Sequence, residues 1–143
     1  PGLFPDDHRA KQMTQSLMTL SELVKHYGIE LPKIEDDVRI HGHCHQKACG
    51  GLGAEQSILK KLGDNGGIIP AGCCGVAGAY GYHQKSAPIA KLIGENEFKP
   101  HLDKLPEDSV LIADGFSCRG QIRTVSVRQP MHLAEYLATV LRD

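Results

Sequence analysis

Hydrophobic residues recur at intervals of three and four in several stretches of the chain, which is the spacing of amphipathic helices. Between Arg9 and Tyr27, for example, apolar residues fall on one helical face, and Gly28 follows directly, as glycine often does at a helix C-terminus. The predicted helices span residues 9–27, 54–62, 84–93, 97–105 and 131–141. Residues 1–8 contain two prolines and two acidic residues, and they predict a linker before a single domain over residues 9–143.

Three short segments between these helices are rich in apolar residues and predict β-strands. They span residues 38–41, 68–71 and 110–113. Strands that alternate with helices usually pair in parallel through right-handed crossovers. We therefore expect an α/β fold, with an open and mainly parallel sheet of three to four strands flanked by helices.

Composition and charge exclude several classes of protein. The 143 residues include 16 basic and 17 acidic side chains, so the chain lacks the basic excess of a nucleic-acid-binding protein. No apolar run reaches the about 20 residues that a membrane-spanning helix needs, and no apolar h-region opens the chain, so we expect neither a membrane span nor a signal peptide. We expect a cytoplasmic protein, with peripheral attachment at the inner membrane as the alternative. Because the first residue is proline, we also expect a piece of a longer protein.

The cysteines are the most informative residues. There are five, an odd number with two adjacent, which does not suit the disulfide framework of a secreted protein. Each predicted strand is followed by glycine and cysteine, and because the carboxyl ends of parallel strands share one sheet edge, we expect these thiols to converge. They are Cys44, Cys73, Cys74 and Cys118. Four thiolates suit zinc or an iron–sulfur cluster, whereas thiol redox chemistry and inert burial are the alternatives.

Histidines surround the first of these cysteines. His43 and His45 flank Cys44 and are candidate metal ligands or proton carriers, because imidazole performs both roles near neutral pH. His41, on the predicted strand, is interpreted as structural. Cys49 is interpreted as a bystander, with a fifth ligand or a resolving thiol as the alternatives.

Backbone and basic groups should lie near the sulfurs. The glycines around Cys73 leave room for backbone N–H groups, and helix N-termini after Cys74 and Cys118 would lower the pKa of those thiols. Basic side chains in or near the cysteine segments could hold a substrate anion or offset the negative charge of a cluster. These are Lys47, Arg119 and Arg123.

Three segments together resemble the cysteine-rich CCG domain. They are His43–Ala48 (HCHQKA), Gly72–Tyr82 (GCCGVAGAYGY) and Asp114–Ile122 (DGFSCRGQI). That domain occurs in heterodisulfide reductase, in the iron–sulfur subunits of glycolate and anaerobic glycerol-3-phosphate dehydrogenases, and in fused FAD-linked oxidases. The first two segments are most similar to the fused type, in which an FAD-binding oxidase module and a ferredoxin-like module precede the CCG region.

The resemblance implies a piece of a bacterial flavin and iron–sulfur dehydrogenase that oxidises a 2-hydroxy acid such as D-lactate, glycolate or D-2-hydroxyglutarate. The flavin and ferredoxin-like modules would be its partners, FAD would belong to the parent protein, and this chain alone would be inactive. By the same resemblance, the four strand-end cysteines would bind a 4Fe–4S cluster or zinc, for electron transfer or to complete the substrate site. A structural zinc-binding or docking module without a redox role is the alternative.

The chain departs from the family pattern at its third cysteine segment. Many CCG domains have a C-x-x-C pair there, whereas the positions three residues from Cys118 are Gly115 and Gln121. A four-cysteine site, or one completed by His43 or His45, is therefore expected in place of a five-cysteine cluster.

Overall fold

The computed structural model describes residues 3–142, so the first two residues of the expected linker and the last residue of the expected domain lie outside it. Its centre is a three-stranded sheet in which every pairing is parallel. The strands are β1 (Val38–Ile40), β2 (Gly66–Ile68) and β3 (Val110–Ile112), in the order β2-β1-β3. Val38 is in register with Gly66 on one side and Val110 on the other. The predicted α/β fold with an open parallel sheet is confirmed.

Helices connect the strands and cover the sheet. They are α1 (His8–Ser16), α2 (Leu20–His26), α3 (Cys44–Cys49), α4 (Gly53–Leu62), α5 (Ala87–Ile93), α6 (Lys99–Leu102), α7 (Phe116–Val125) and α8 (Leu133–Val140). A 3₁₀ turn (Tyr80–Tyr82) precedes α5, and a π-helical turn (Gly94–Phe98) joins α5 to α6. No helix within residues 3–142 is long and apolar enough to cross a lipid bilayer.

Two apolar clusters pack on the sheet. Successive side chains of a strand point to opposite faces, and accordingly Leu111 belongs to one cluster and Ile112 to the other. The first cluster joins β1 to residues of α2, α4 and α8, and the second joins β3 to Phe98 and Ile122. The cysteines Cys74 and Cys118 belong to the second cluster, so part of the candidate site is anchored in the core.

The single helix predicted over residues 9–27 was wrong, because the chain forms α1 and α2 separated by a break at residues 17–19. Thr19 caps α2 with a reciprocal capping box: its hydroxyl accepts from the Glu22 N–H, and the Glu22 carboxylate accepts from the Thr19 N–H. The apolar spacing continued across the break, but Met13 and Leu17 are 67% and 69% exposed. The capping residues therefore outweighed the hydrophobic pattern.

Other element boundaries also differ from the prediction. The second strand was expected over residues 68–71 but ends at Ile68, because Pro70 has no N–H to donate to a neighbouring strand. The predicted helices over residues 84–93 and 97–105 become a run that starts at Ala87 and ends at Leu102. The last helix begins at Leu133 and not at Met131, which instead makes a bridge to the end of β3.

Candidate functional site

All four strand-end cysteines lie beyond the carboxyl edge of the sheet, in three different segments. Cys44 is the first residue of α3, which follows β1 after a three-residue connection. Cys73 and Cys74 lie in the long loop after β2, and Cys118 is in the first turn of α7, after β3. Because β1 is the central strand, Cys44 stands between the segments that carry the other thiols.

The four thiols interact with one another. Besides burial, Cys44 and Cys74 raise the pKa of Cys73, and Cys118 and Cys73 lower the pKa of Cys74. Cys118 also experiences the charges of Cys44 and Cys73. The sulfurs therefore form one neighbourhood, although they are far apart in the sequence. Cys74 and Cys118 are only 3% and 1% exposed, whereas Cys44 is half-buried and Cys73 is exposed.

The pKa values within this neighbourhood move in opposite directions. Hydrogen bonding from Cys118 lowers the pKa of Cys74 to about 6. The same hydrogen bond, followed by burial and the charge of Cys74, raises the pKa of Cys118 well above its usual range. Burial is the main cause that raises the pKa of Cys73. One thiolate therefore forms readily, but further thiolates are opposed until a cation offsets their repulsion.

Backbone N–H groups approach the sulfurs in the glycine-rich loop. The Gly75 N–H donates to Cys73 Sγ at 3.4 Å, and the backbone N–H of Val76 also lowers the pKa of Cys74. Gly75 has a φ of +93°, and a Cβ there would lie 2.7 Å from the Ala90 carbonyl oxygen, so the loop requires glycine at this position. The N–H contacts predicted from the glycines are present.

The predicted helix N-termini were placed incorrectly. An extended loop follows Cys74, and α7 begins before Cys118, with Gly115 as its N-cap. The expected lowering of the thiol pKa therefore holds for Cys74, through Cys118 and backbone donors, but not for Cys118. The N-terminus of α7 does not overcome burial and the neighbouring thiol.

The structure separates the two candidate histidines. A Cβ built on Gly115 would lie 2.7 Å from His43 Cδ2 and 2.9 Å from Cys118 Sγ, so His43 and Cys118 both lie against this glycine. His45 is exposed, and its Nε2 lies 3.6 Å from the Sγ of Cys49. His43 is therefore next to the thiol neighbourhood, whereas His45 faces Cys49.

His41 is buried in the core beside Phe98, with a distance of 4.6 Å between ring centroids. Neither ring nitrogen has a hydrogen-bond partner within the described residues. Burial, followed by the positive charge of Lys47, lowers the pKa of His41 to about 3, so the imidazole is neutral at physiological pH. This environment agrees with the structural interpretation of His41.

The basic side chains near the cysteines bind backbone carbonyl groups. Lys47 donates to the carbonyl of Ala71, which precedes Cys73 by two residues. Arg119 donates to the carbonyl oxygens of Ala113 and Asp114, at 2.7 and 2.8 Å. Lys47 and Arg119 thus join the cysteine-bearing segments to the sheet edge.

Arg123 donates to the Pro130 carbonyl at 3.2 Å. This basic side chain therefore bonds to the segment that leads into α8.

One polar pair near the site was not anticipated from the sequence. Glu55 is 2% exposed, and its Oε1 accepts a hydrogen bond of 2.5 Å from Gln46 Nε2. Glu55 precedes Ile58 and Leu59 by three and four residues, so it shares the apolar face of α4. A carboxylate at such a position is a signal that could have identified the pair.

The four cysteines and His43 are donors of the type that zinc and iron–sulfur clusters use. Within residues 3–142, however, no three side chains of His, Cys, Asp or Glu are arranged to hold a metal ion as they stand. The thiols are close enough to shift one another's pKa values, and their chemistry, not a preformed coordination geometry, supports the candidate site.

A large open groove adjoins the site. It has a volume of about 1380 Å³ and lies between α1, α3 and the start of α7. Its walls include Met13, His43, His45 and Phe116, and its surface is mostly apolar.

Comparison with known proteins finds similarity to dehydrogenases. The chain is 34% identical over 97 residues to D-2-hydroxyglutarate dehydrogenase of Pantoea ananatis, and 30% identical over 103 residues to that of Escherichia coli. The protein of the same name from Pseudomonas putida is 28% identical over 108 residues. These matches cover 64%, 71% and 74% of this chain, respectively.

The chain is similar to one part of these dehydrogenases. It spans only about a tenth of the length of the curated relatives that it matches. No family model matches the chain, and no solved structure does so. The similarity supports a domain of a larger oxidoreductase.

Proposed function

We propose that the chain is the cysteine-rich module of an FAD-linked oxidoreductase that oxidises a 2-hydroxy acid. The observation that carries the proposal is the meeting of Cys44, Cys73, Cys74 and Cys118, from three separate segments, at one edge of the sheet. The relatives named D-2-hydroxyglutarate dehydrogenase make D-2-hydroxyglutarate the first substrate to test. The resemblance to the CCG domain points to the same class.

The four cysteines would hold a 4Fe–4S cluster in this module. Soft thiolate sulfur is the ligand that such a cluster requires, and the cluster would supply one-electron transfer. The Gly75 and Val76 N–H groups would stabilise negative charge on the sulfurs, as they do for the thiols. His43 would be the residue to replace or supplement a cysteine, because it lies beside Cys118.

The surroundings of the thiols suit such a centre. Cys74 and Cys118 are enclosed in the second apolar cluster, which would exclude water from that side of the cluster. Lys47 and Arg119 place positive charge at the sheet edge, where it would offset the charge of the thiolates. All five cysteines are free thiols, which can ionise to the thiolates that ligate a metal.

The flavin and ferredoxin-like modules of the parent protein would be the partners of this chain. FAD would be bound by the flavin module, where hydride removal from the substrate would occur. The present module would receive or pass on electrons, or close the substrate site.

Metal and sulfide analysis of the anaerobically purified chain tests this proposal. We expect iron and acid-labile sulfide with visible charge-transfer absorption, lost in Cys74→Ser. Cys49→Ser is the matched control, because Cys49 is not one of the four strand-end thiols and contacts His45, and it should retain the cluster. Protein that contains neither iron nor sulfide after anaerobic reconstitution would contradict the proposal.

The same four thiolates would also satisfy a tetrahedral structural zinc ion. In that case the chain would hold zinc without sulfide, and a dehydrogenase that contains Cys74→Ser in this module would keep its activity if it remained folded. Stoichiometric zinc in anaerobic protein would therefore favour a structural module over electron transfer.

A further inference from the structure

The short helix α3 has little support of its own. It contains six residues, Cys44–Cys49, none of which is buried, and no side chain caps its N-terminus. Isolated helices of this length are unstable in water, so contacts with the rest of the fold must hold it. Its position matters because its first residue is Cys44.

Two side chains of α3 bond to other segments. Lys47 donates to the Ala71 carbonyl, as described above, and Gln46 Nε2 donates to Glu55 Oε1 at 2.5 Å. The Lys47 bond is to the loop that carries Cys73, which is itself irregular. The Glu55 bond is different, because Glu55 belongs to a ten-residue helix anchored in the core.

Glu55 is an unusual residue for its position. It is almost fully buried, and its Oε2 has no hydrogen-bond partner within the described residues. Burial of a carboxylate is costly, whereas an apolar side chain would fill the same space on the face of α4 without that cost. A carboxylate does accept a stronger hydrogen bond than a neutral group would. The N-terminus of α4, in whose first turn Glu55 lies, partly offsets its negative charge.

We propose that Glu55 is a positioning residue: through Gln46 it fixes α3 and thereby places Cys44 beside Cys73. This inference rests on the proposed function, because it assigns Glu55 to the preparation of the cysteine site. It requires no direct contact between Glu55 and a metal or cluster.

Exchange of the two side chains tests the proposal. In Gln46→Glu, two carboxylates face each other and the bond is lost. In the double variant Gln46→Glu/Glu55→Gln, the amide of residue 55 can donate to the carboxylate of residue 46, so the bond is restored with reversed polarity. Gln46→Met removes the donor without adding charge. It therefore distinguishes loss of the hydrogen bond from repulsion between two carboxylates.

The first measurement is the rate of alkylation of each cysteine in the metal-free 143-residue chain, resolved by mass spectrometry. Loss of the bond should speed alkylation of Cys44 by about tenfold, since a hydrogen bond to a charged group no longer opposes local opening. Cys118, which is buried in the core, reports global unfolding, and its rate should not change.

The double variant should return the Cys44 rate to within about twofold of the original, as a restored hydrogen bond predicts. An unchanged Cys44 rate in Gln46→Glu and Gln46→Met, or no recovery in the double variant, would overturn the proposal. A parallel rise at Cys118 would also overturn it, because the bond would then stabilise the whole fold and not α3.

The second measurement is the iron and sulfide content after anaerobic reconstitution, which should fall in Gln46→Glu and recover in the double variant. If the unaltered chain binds no cluster, the proposed function fails, whereas the Cys44 rates still decide whether Glu55 fixes α3. Altered rates with unchanged iron and sulfide would show that the position of Cys44 does not limit assembly, and the assignment of Glu55 to the site would be wrong.

Discussion

A substitution at Gly115 tests directly how His43 and Cys118 pack against this residue. Its φ of −66° is one that alanine adopts freely, so Gly115→Ala introduces no backbone strain. The new Cβ would lie 2.7 Å from His43 Cδ2 and 2.9 Å from Cys118 Sγ. The distance to the ring is about 1 Å shorter than an ordinary contact of 3.5–4.0 Å between carbon atoms. His43 or Cys118 must therefore move.

This overlap should measurably lower the free energy of unfolding. Overpacking of this kind costs about 1–3 kcal/mol, and the change at the N-cap adds a few tenths. We expect urea unfolding, followed by circular dichroism, to show a free energy of unfolding lower by about 1.5–3 kcal/mol with an unchanged m-value. In the background of His43→Ala the loss should shrink, because one of the two obstructing groups is absent.

Gly53→Ala is the matched control. A Cβ at Gly53 meets nothing within 4 Å, and the residue is the first of α4, so stability should stay the same or rise slightly. If Gly115→Ala were as stable as the original protein to within about 0.5 kcal/mol, His43 and Cys118 would not be packed against Gly115. The assignment of His43 to the candidate site would then be wrong.

Three further outcomes are expected. Gly75→Ala should lower the free energy of unfolding by about 2–4 kcal/mol, because a positive φ and a backbone clash combine. Gly78→Ala, with a positive φ in open space, should lower it by about 1 kcal/mol. Equal losses of the two variants in urea unfolding would refute the clash. Thr19→Ala should cost about 1 kcal/mol by removing the cap of α2, and an unchanged unfolding midpoint would contradict the role of the cap. Burial and Asp36 raise the pKa of Tyr136, so the folded state favours the neutral phenol: this contribution is complete below about pH 10 and is lost at higher pH, where the unfolded phenol ionises first. Tyr136→Phe should therefore cost about 1 kcal/mol at neutral pH and a smaller amount above pH 10, and a difference independent of pH would disprove the coupling.

The fold was predictable where strong local patterns coincide with tertiary structure. The three strand segments and their order along the chain follow from short apolar runs, and the parallel pairing follows from the helices between them. Neither end of β2 was predicted, since the strand spans Gly66–Ile68 and shares only Ile68 with the predicted segment, although Pro70 is a clear signal that a strand cannot continue. The break before α2 is a similar case, since the Thr19–Glu22 capping box is visible in the sequence.

The site was predictable only in part. The positions of the cysteines directly after strands were sufficient to predict that Cys44, Cys73, Cys74 and Cys118 meet at one edge of the sheet. The direction of each side chain was not predictable, because it depends on contacts between distant segments. His43 and His45 flank the same cysteine, yet one lies beside Cys118 and the other beside Cys49.

Hydrogen-bond partners that lie far apart in the sequence were also not predictable from it. Lys47 suggests an anion site when it is considered alone, but its actual acceptor is a carbonyl 24 residues further along the chain. The bond between Gln46 and Glu55 has the same origin, since only the packing of α3 near α4 brings the two residues together.

The central position of β1 has a consequence for the order in which the protein matures. Cys44 is synthesised before Cys118, and Cys118 reaches its place only after β3 pairs with β1. A nascent chain that ends before β3 would display an incomplete set of thiols. Insertion of a metal centre into this module would therefore have to follow closure of the sheet, and the early thiols would need protection from oxidation until that moment.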